Sequence, residues 1–502
     1  MMSAYETLLA RVHELDDLNK ANGLLYWDRE VNMPRGGSAE RTAQMTTLSS
    51  LIHRLSTADE MGELIERAAA ELDGVDYDSD EASLIRLLRR NYADARKLPE
   101  AYVARSATVS GAAREAWVKA RAEKDFAVFR PWLEQVVELC QEMAEYYGYE
   151  DERYDALLDK YETNMKTAEV RAIFDALKAE LVPLREAIDA SGVAIDDRLL
   201  HQPYDVEKQK QFARTIATAI GYDFDRGHLG TVVHPFASSF SRNDARITTR
   251  WYPDFLCPSL FGTLHECGHA MYEQGTAPGL SRTPLARGTS LGIHESQSRM
   301  MENLIGRSRG FWRAHFPALQ ALFPEALGGA TAEEFYRAVN KTQPSYIRVE
   351  ADELTYNFHI ILRFELEQAM LNGDLAAADL PTAWNDKMQS LLGIVPPDDS
   401  QGCLQDVHWS RPGFGYFPTY ALGNLYGAQF FEAAKAGSPA IGEELERGET
   451  AALLAWLREN IHRHGKKFTP GELVRRVTGQ PLSHAAFMRY ANTKFGDLYG
   501  LA

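Results

Sequence analysis

Apolar residues recur at spacings of three and four along most of this chain. Tyr5, Leu8, Leu9, Val12 and Leu15 form one such stripe, and that period is one face of a helix. Similar stripes run through 37–72, 80–96, 98–123, 126–147, 151–161, 167–191 and 205–220. Pro99 and Pro131 stand near predicted helix starts, where proline's missing N–H costs nothing. Residues 193–204 read as a connecting loop. Beyond residue 290 the pattern predicts helices over 293–308, 332–340, 348–372, 380–393, 421–436, 440–447, 449–463, 470–478 and 483–496.

One stretch departs from the helical period. Residues 228–240 and 245–252 are rich in Val, Thr, Ile and aromatics. Between them Ser241-Arg242-Asn243-Asp244 is turn chemistry. The expectation is a small antiparallel hairpin. It would either buttress the next helix or pair with an extended peptide at its edge. There is no internal repeat, low-complexity tail or shift in composition. The predicted fold class is therefore mainly α: one large helical body with a small antiparallel β element. Residues 1–502 are expected to form a single catalytic domain, or two helical lobes around a cleft.

Composition narrows the choice of partners. A chain of 502 residues with 45% hydrophobic residues has ample material for a large core. Its net charge of −17 argues against nucleic acid. The N-terminus lacks a basic segment followed by an apolar run, and no 18 consecutive residues are apolar, so neither a leader nor a membrane span is expected. Cys140, Cys257, Cys267 and Cys403 match neither a disulfide framework nor a Cys-x-x-Cys site. Isolated thiols suit a reducing compartment, and the expected location is the cytoplasm.

The chemistry concentrates in His265-Glu266-Cys267-Gly268-His269. On a helix, positions i and i+4 share a face, so both imidazoles reach one ion. Glu266 lies about 100° further round, close enough to touch a water on that ion. This donor set suits zinc, with cobalt or manganese fitting as well. A catalytic site needs a third protein ligand from another element. Glu295 is the first candidate, because the Gly- and Pro-containing loop 275–292 would let its helix fold back. Glu273 and Glu302 are the alternatives: Glu273 lies one turn past His269, too far along the same helix, while Glu302 lies two turns past Glu295, so that one of that pair could bind and the other support.

Five further blocks stand in order along the chain. They are His234-Pro235-Phe236, Asp244-Ala245-Arg246-Ile247-Thr248 and His294-Glu295-Ser296-Gln297, then Ile347-Arg348-Val349-Glu350-Ala351-Asp352 and Gly402-Cys403-Leu404-Gln405-Asp406-Val407-His408-Trp409. With the H-E-x-x-H segment, and with Tyr26-Trp27-Asp28 and Met33-Pro34 near the N-terminus, the whole chain resembles the metallocarboxypeptidases of the thermostable carboxypeptidase Taq family. The resemblance implies a gluzincin fold with a deep groove, Glu295 as third ligand and a homodimer. It also implies removal of single residues from peptide C-termini with broad specificity.

Roles then follow from side-chain chemistry. Glu266 is the expected general base. His408 and Tyr420, 12 positions apart, are the expected oxyanion donors. A free carboxylate is well matched by the planar fork of arginine. Arg348 is the first candidate for that anchor and Arg246 the second; the bland alternative for Arg348 is an ion pair with Glu350 or Asp352. His234 is expected to line the cleft, Asp244 to hold a turn or orient an arginine, and Asp406 to orient an imidazole. The rival readings are an oligopeptidase or dipeptidyl carboxypeptidase of the same chemistry, and a non-catalytic helical scaffold holding structural zinc.

Overall fold

The computed structural model describes residues 2–501. Helices dominate, as the apolar stripes require, and the sheet has three short strands. Local signals set the helix ends. Ser3 caps the first helix (Ala4–Val31) through a reciprocal pair: its Oγ accepts from Glu6 N–H at 3.0 Å, and its own N–H donates to the Glu6 carboxylate at 2.9 Å. The predicted helix over 37–72 is two helices, Ser38–Thr57 and Asp59–Glu71, broken at the extended backbone of Ala58.

The chain divides into two compact units, each assembled from three separated segments. The first comprises the chain up to Arg96, Asp196–Val339 and Phe430–Gln480; the second comprises Lys97–Ile195, Asn340–Gln429 and the chain from Pro481 on. In the first unit, Leu8, Val12, Leu64, Ile65, Leu84, Ile85, Leu280 and Leu285 belong to one buried apolar cluster. In the second, Phe364 makes T-shaped contacts with Tyr154 and Phe174 at 5.5 and 5.2 Å between centroids.

The hairpin expectation needs correction. β1 (Leu229–Thr231), β2 (Ala237–Ser241) and β3 (Asp244–Thr249) form a mixed sheet in the order β1-β3-β2. β2 and β3 are the predicted antiparallel pair, with a bulge between Ser239 and Ser241. β1 is separate and runs parallel to β3, with Leu229 opposite Ile247. The loop through His234-Pro235 turns the chain between them, because proline cannot donate to a ladder. Both edges of β3 are therefore filled. β3, in which Ala245, Ile247, Thr248 and Thr249 are buried, packs against the helix Cys257–Gln274, hereafter the metal helix.

Two further differences have physical causes. A helix the apolar pattern did not predict spans Arg309–Leu322, despite Pro317 inside it. Ser308 Oγ caps its first turn, accepting from Phe311 N–H at 3.2 Å, and Phe311, Trp312, Phe316 and Leu319 are buried. Tertiary packing outweighs the proline there. The predicted helix over 348–372 instead begins at Tyr356, after a single tight turn at Arg348–Glu350. Asp352 explains the break: its Oδ1 accepts from the N–H groups of Leu354 and Thr355 at 2.9 and 3.0 Å.

Candidate metal centre

His265 and His269 lie one turn apart on the metal helix, and Glu295 lies on the helix Leu291–Arg299. The backbones of these two helices come unusually close. A Cβ at Gly268 would stand 2.3 Å from the carbonyl oxygen of Gln297 and 2.6 Å from Ser298 Cα. Only glycine allows that approach, and the approach delivers Glu295 to the histidines.

Glu295 Oε2 is 3.7 Å from His265 Nε2 and 3.5 Å from His269 Nε2. One ligand atom from each of the three residues lies within 4.8 Å of the others. Two Nε2 atoms and one carboxylate oxygen around a common point are the donor set of a divalent-cation site with an open position. The local electrostatics fit a cation. Burial opposes the imidazolium of His265, yet Glu295 and Glu302 outweigh it and raise its pKa to about 9. Burial lowers the pKa of His269 to about 4. A cluster that draws a positive charge onto one of its imidazoles is suited to holding one in an ion.

Arg299 organises the carboxylates. Its Nε donates to Glu295 Oε1 at 2.7 Å and one terminal nitrogen reaches Glu302 Oε2 at 3.3 Å. Glu302 Oε2 also contacts His265 Nδ1 at 2.8 Å. Of the three candidate third ligands, Glu295 is thus in the cluster and Glu302 stands behind His265. Glu273 pairs at 2.9 Å with Nε2 of His294, whose Nδ1 lies 2.6 Å from His269 Nδ1. Glu302 gets there through a π-helical turn over Met300–Ile305, in which Gly306 N–H bonds back to Met301 rather than to Glu302. Glu266 is buried with 6% exposure. Burial pushes its pKa up to about 7; His265 opposes the shift, while Glu295 and Glu302 add to it. That value suits a group that must accept and then release a proton near neutrality.

Cys267 is buried in the metal helix, and all four cysteines are free thiols. Arg246 is engaged at both Nε and a terminal nitrogen by Asp244, at 2.7 and 2.8 Å, and its guanidinium lies 4.5 Å from the Trp27 ring centroid. His234 is exposed between β1 and β2.

The second unit brings together Arg348, Asp406, His408 and Tyr420. Arg348 is not paired with Glu350 or Asp352; Nε and one terminal nitrogen donate to Asp406 Oδ1 at 3.2 and 2.8 Å, and the other donates to Tyr356 Oη at 2.8 Å. The two-pronged edge of its fork is therefore taken. Arg363, fully buried in the helix Tyr356–Asn372, binds the other Asp406 oxygen at 2.8 and 2.5 Å. It was missed in the sequence, although a lone arginine within Ile360-Ile361-Leu362-Arg363-Phe364 is a visible signal. His408 Nδ1 lies 3.6 Å from Asp406, too far for a hydrogen bond. Its ring stacks on Tyr416, and burial lowers its pKa. Tyr420 Oη meets Tyr416 Oη at 3.2 Å, and burial holds its hydroxyl protonated.

Two helix-borne imidazoles, a carboxylate from a second helix and a buried glutamate beside them define a metallopeptidase centre of the H-E-x-x-H kind. Family comparison is more specific. Residues 7–495 match the carboxypeptidase Taq (M32) metallopeptidase family, and the chain belongs to it; it is a metal-dependent carboxypeptidase. It is 42% identical to thermostable carboxypeptidase 1 of Thermus thermophilus, with 99% of both chains covered. It is 39% identical to carboxypeptidase 1 of Bacillus subtilis, with 96% of both covered. The crystal structure of the M32 carboxypeptidase from Deinococcus radiodurans superposes with a TM-score of 0.96 at 39% identity, covering 99% of this chain and 100% of that one.

Proposed function

We propose that this chain is a zinc carboxypeptidase that removes single residues stepwise from peptide C-termini, with broad side-chain tolerance. The observation that carries the reading is the convergence of His265 Nε2, His269 Nε2 and Glu295 Oε2 beside buried Glu266. Zinc held by these three ligands would acidify water and polarise the scissile carbonyl; cobalt or manganese would suit the same donors. Glu266 takes the proton from the attacking water and hands it to the leaving amine. His408 and Tyr420 have the chemistry of oxyanion donors, a neutral imidazole and a protonated phenol. Arg348 is the proposed anchor for the free carboxylate, with Arg246 second and His234 a further substrate contact. Its support is charge: Arg348 and Arg363 share one carboxylate, Asp406, which leaves a buried positive charge that an anion would balance. A homodimer in the cytoplasm, acting on peptides and not on nucleic acid or membranes, completes the proposal. Free thiols at all four cysteines support that compartment. Among the described residues no helix is long and apolar enough to cross a membrane.

The test is mass spectrometry of a mixed peptide pool incubated with zinc-loaded protein. Ladders losing one C-terminal residue at a time are expected; internal fragments or released dipeptides would overturn the reading. Glu266→Gln should bind zinc yet lose about 10²- to 10⁴-fold in rate. Arg348→Ala should lose far more activity on free-carboxylate peptides than on their amides, and equal losses would remove it as the anchor.

A further inference from the structure

The two metal histidines are oriented by different devices. His265 meets a carboxylate directly. His269 meets another imidazole, His294, with a carboxylate beyond it. The neighbouring donors and the metal-ligand reading together set where the protons sit. Gly288 N–H and one terminal nitrogen of Arg299 can only donate. Gly288 N–H donates to Glu273 Oε1 at 3.2 Å, and Arg299 donates to Glu302 Oε2 at 3.3 Å. Both carboxylate oxygens are therefore acceptors.

On the direct side, His265 Nδ1 must then carry the hydrogen it gives Glu302; an imidazole that binds a metal is neutral, so Nε2 is its bare ligand atom. On the other side, His294 Nε2 carries the hydrogen it gives Glu273 at 2.9 Å. With His269 bound to a metal through Nε2, its Nδ1 carries a hydrogen, so the facing His294 Nδ1 is the acceptor. His269 Nδ1 lies 2.6 Å away and must be the donor. Its Nε2 is left bare on the side facing Glu295 Oε2.

We propose that His294 is a positioning residue: backed by Glu273, it holds the proton of His269 on Nδ1 and so presents the Nε2 lone pair to the metal. The inference rests on the reading of His265, His269 and Glu295 as ligands. The surroundings are shaped for this relay. A Cβ at Gly288 would lie 2.6 Å from His294 Cδ2 and 2.8 Å from the Tyr272 ring, so glycine keeps the imidazole seated. Tyr272 flanks it with ring centroids 5.2 Å apart. Partners that fix a ligand's tautomer commonly change metal affinity about 10- to 100-fold when lost.

Zinc affinity, measured by competition with a chromophoric chelator, tests this through a double-mutant cycle. Glu273→Gln and His294→Phe should each weaken zinc binding by about 10-fold or more. The double variant should bind no more weakly than His294→Phe, because Glu273 reaches the metal ligand only through His294. Additive losses would overturn the relay and make Glu273 an independent charge. Nitrogen-15 NMR of histidine-labelled, zinc-loaded wild-type protein decides the matter even if His294→Phe does not fold. Hydrogen on Nε2 of His294 supports the proposal; hydrogen on Nδ1 overturns it. Wild-type protein that fails to take up one zinc per chain would instead overturn the ligand assignment, and the relay with it.

Discussion

Arg299 Nε donates to Glu295 Oε1 at 2.7 Å, so Oε2 is the oxygen left facing His265 and His269. The two residues are one helical turn apart; Glu295 is buried and Arg299 largely shielded from solvent. Arg299 also reaches Glu302, so one guanidinium aligns the third ligand and the partner of the first. Arg299→Met should therefore weaken zinc binding by about 10- to 100-fold while the helix persists. Arg299→Lys should rescue little, since an ammonium lacks the planar fork that spans two carboxylates. Chelator competition at constant pH measures both, and wild-type affinity in Arg299→Met would show that Glu295 needs no such clamp.

Gly268 sets the distance between the two ligand-bearing helices. In Gly268→Ala the new methyl would meet backbone of Gln297 and Ser298, which cannot rotate away. The helices must separate, at a cost of about 1–3 kcal/mol. Because Glu295 rides on the displaced helix, zinc affinity should fall together with the urea midpoint of the metal-free protein. A variant with unchanged midpoint and unchanged affinity would show that the close approach is incidental.

These relationships divide between what local sequence displays and what only packing creates. His265, Glu266 and His269 are legible because a five-residue spacing on a helix fixes their common face. Glu295 is legible because a loop of sufficient length precedes its helix. Glu302, two turns past Glu295, is legible as a supporting group, but its direct bond to His265 is not, because a π-helical turn sets its final register. Nor is the role of Asp406, whose two arginines stand 43 and 58 positions away in the chain. The sequence leaves two lobes open but does not show their boundaries, for a related reason. Each gathers three distant segments, so their boundaries fall at ordinary crossings of the chain rather than at a linker of distinct composition. β1 was merged with β2 because both are β-rich, although only β2 is joined to β3 by a tight turn.

Arg348, Arg363 and Asp406 form a buried cluster with two positive charges and one negative. Asp406→Asn would leave both guanidinium groups without a carboxylate, a loss on the order of 3–5 kcal/mol. Arg363→Met would leave Arg348 and Asp406 as a balanced pair, so its cost should be distinctly smaller. Urea midpoints of the two variants make the comparison. Equal damage from both would mean that packing around Arg363, not charge balance, dominates the cluster.

Glu367 gives the second unit a pH dependence independent of the metal. Its Oε1 accepts from Trp409 Nε1–H at 2.8 Å, and its Oε2 accepts from Tyr154 O–H at 2.7 Å and Gly415 N–H at 3.1 Å. Burial nevertheless pushes its pKa up to about 7, against those three bonds. In the unfolded chain a glutamate titrates near ~4.3. Between these values the folded state binds more protons than the unfolded state, so stability falls as pH rises. The contribution is complete below about pH 4 and lost once pH passes about 7, on the order of 4 kcal/mol in all. Glu367→Gln stays neutral throughout and leaves one of the three donors without an acceptor at every pH. Its stability relative to wild type should therefore improve between pH 5 and pH 8, whatever its absolute value. Paired urea titrations at those two pH values read the difference directly. A difference that does not change with pH would mean that Glu367 is ionised across the whole range, its three hydrogen bonds outweighing burial.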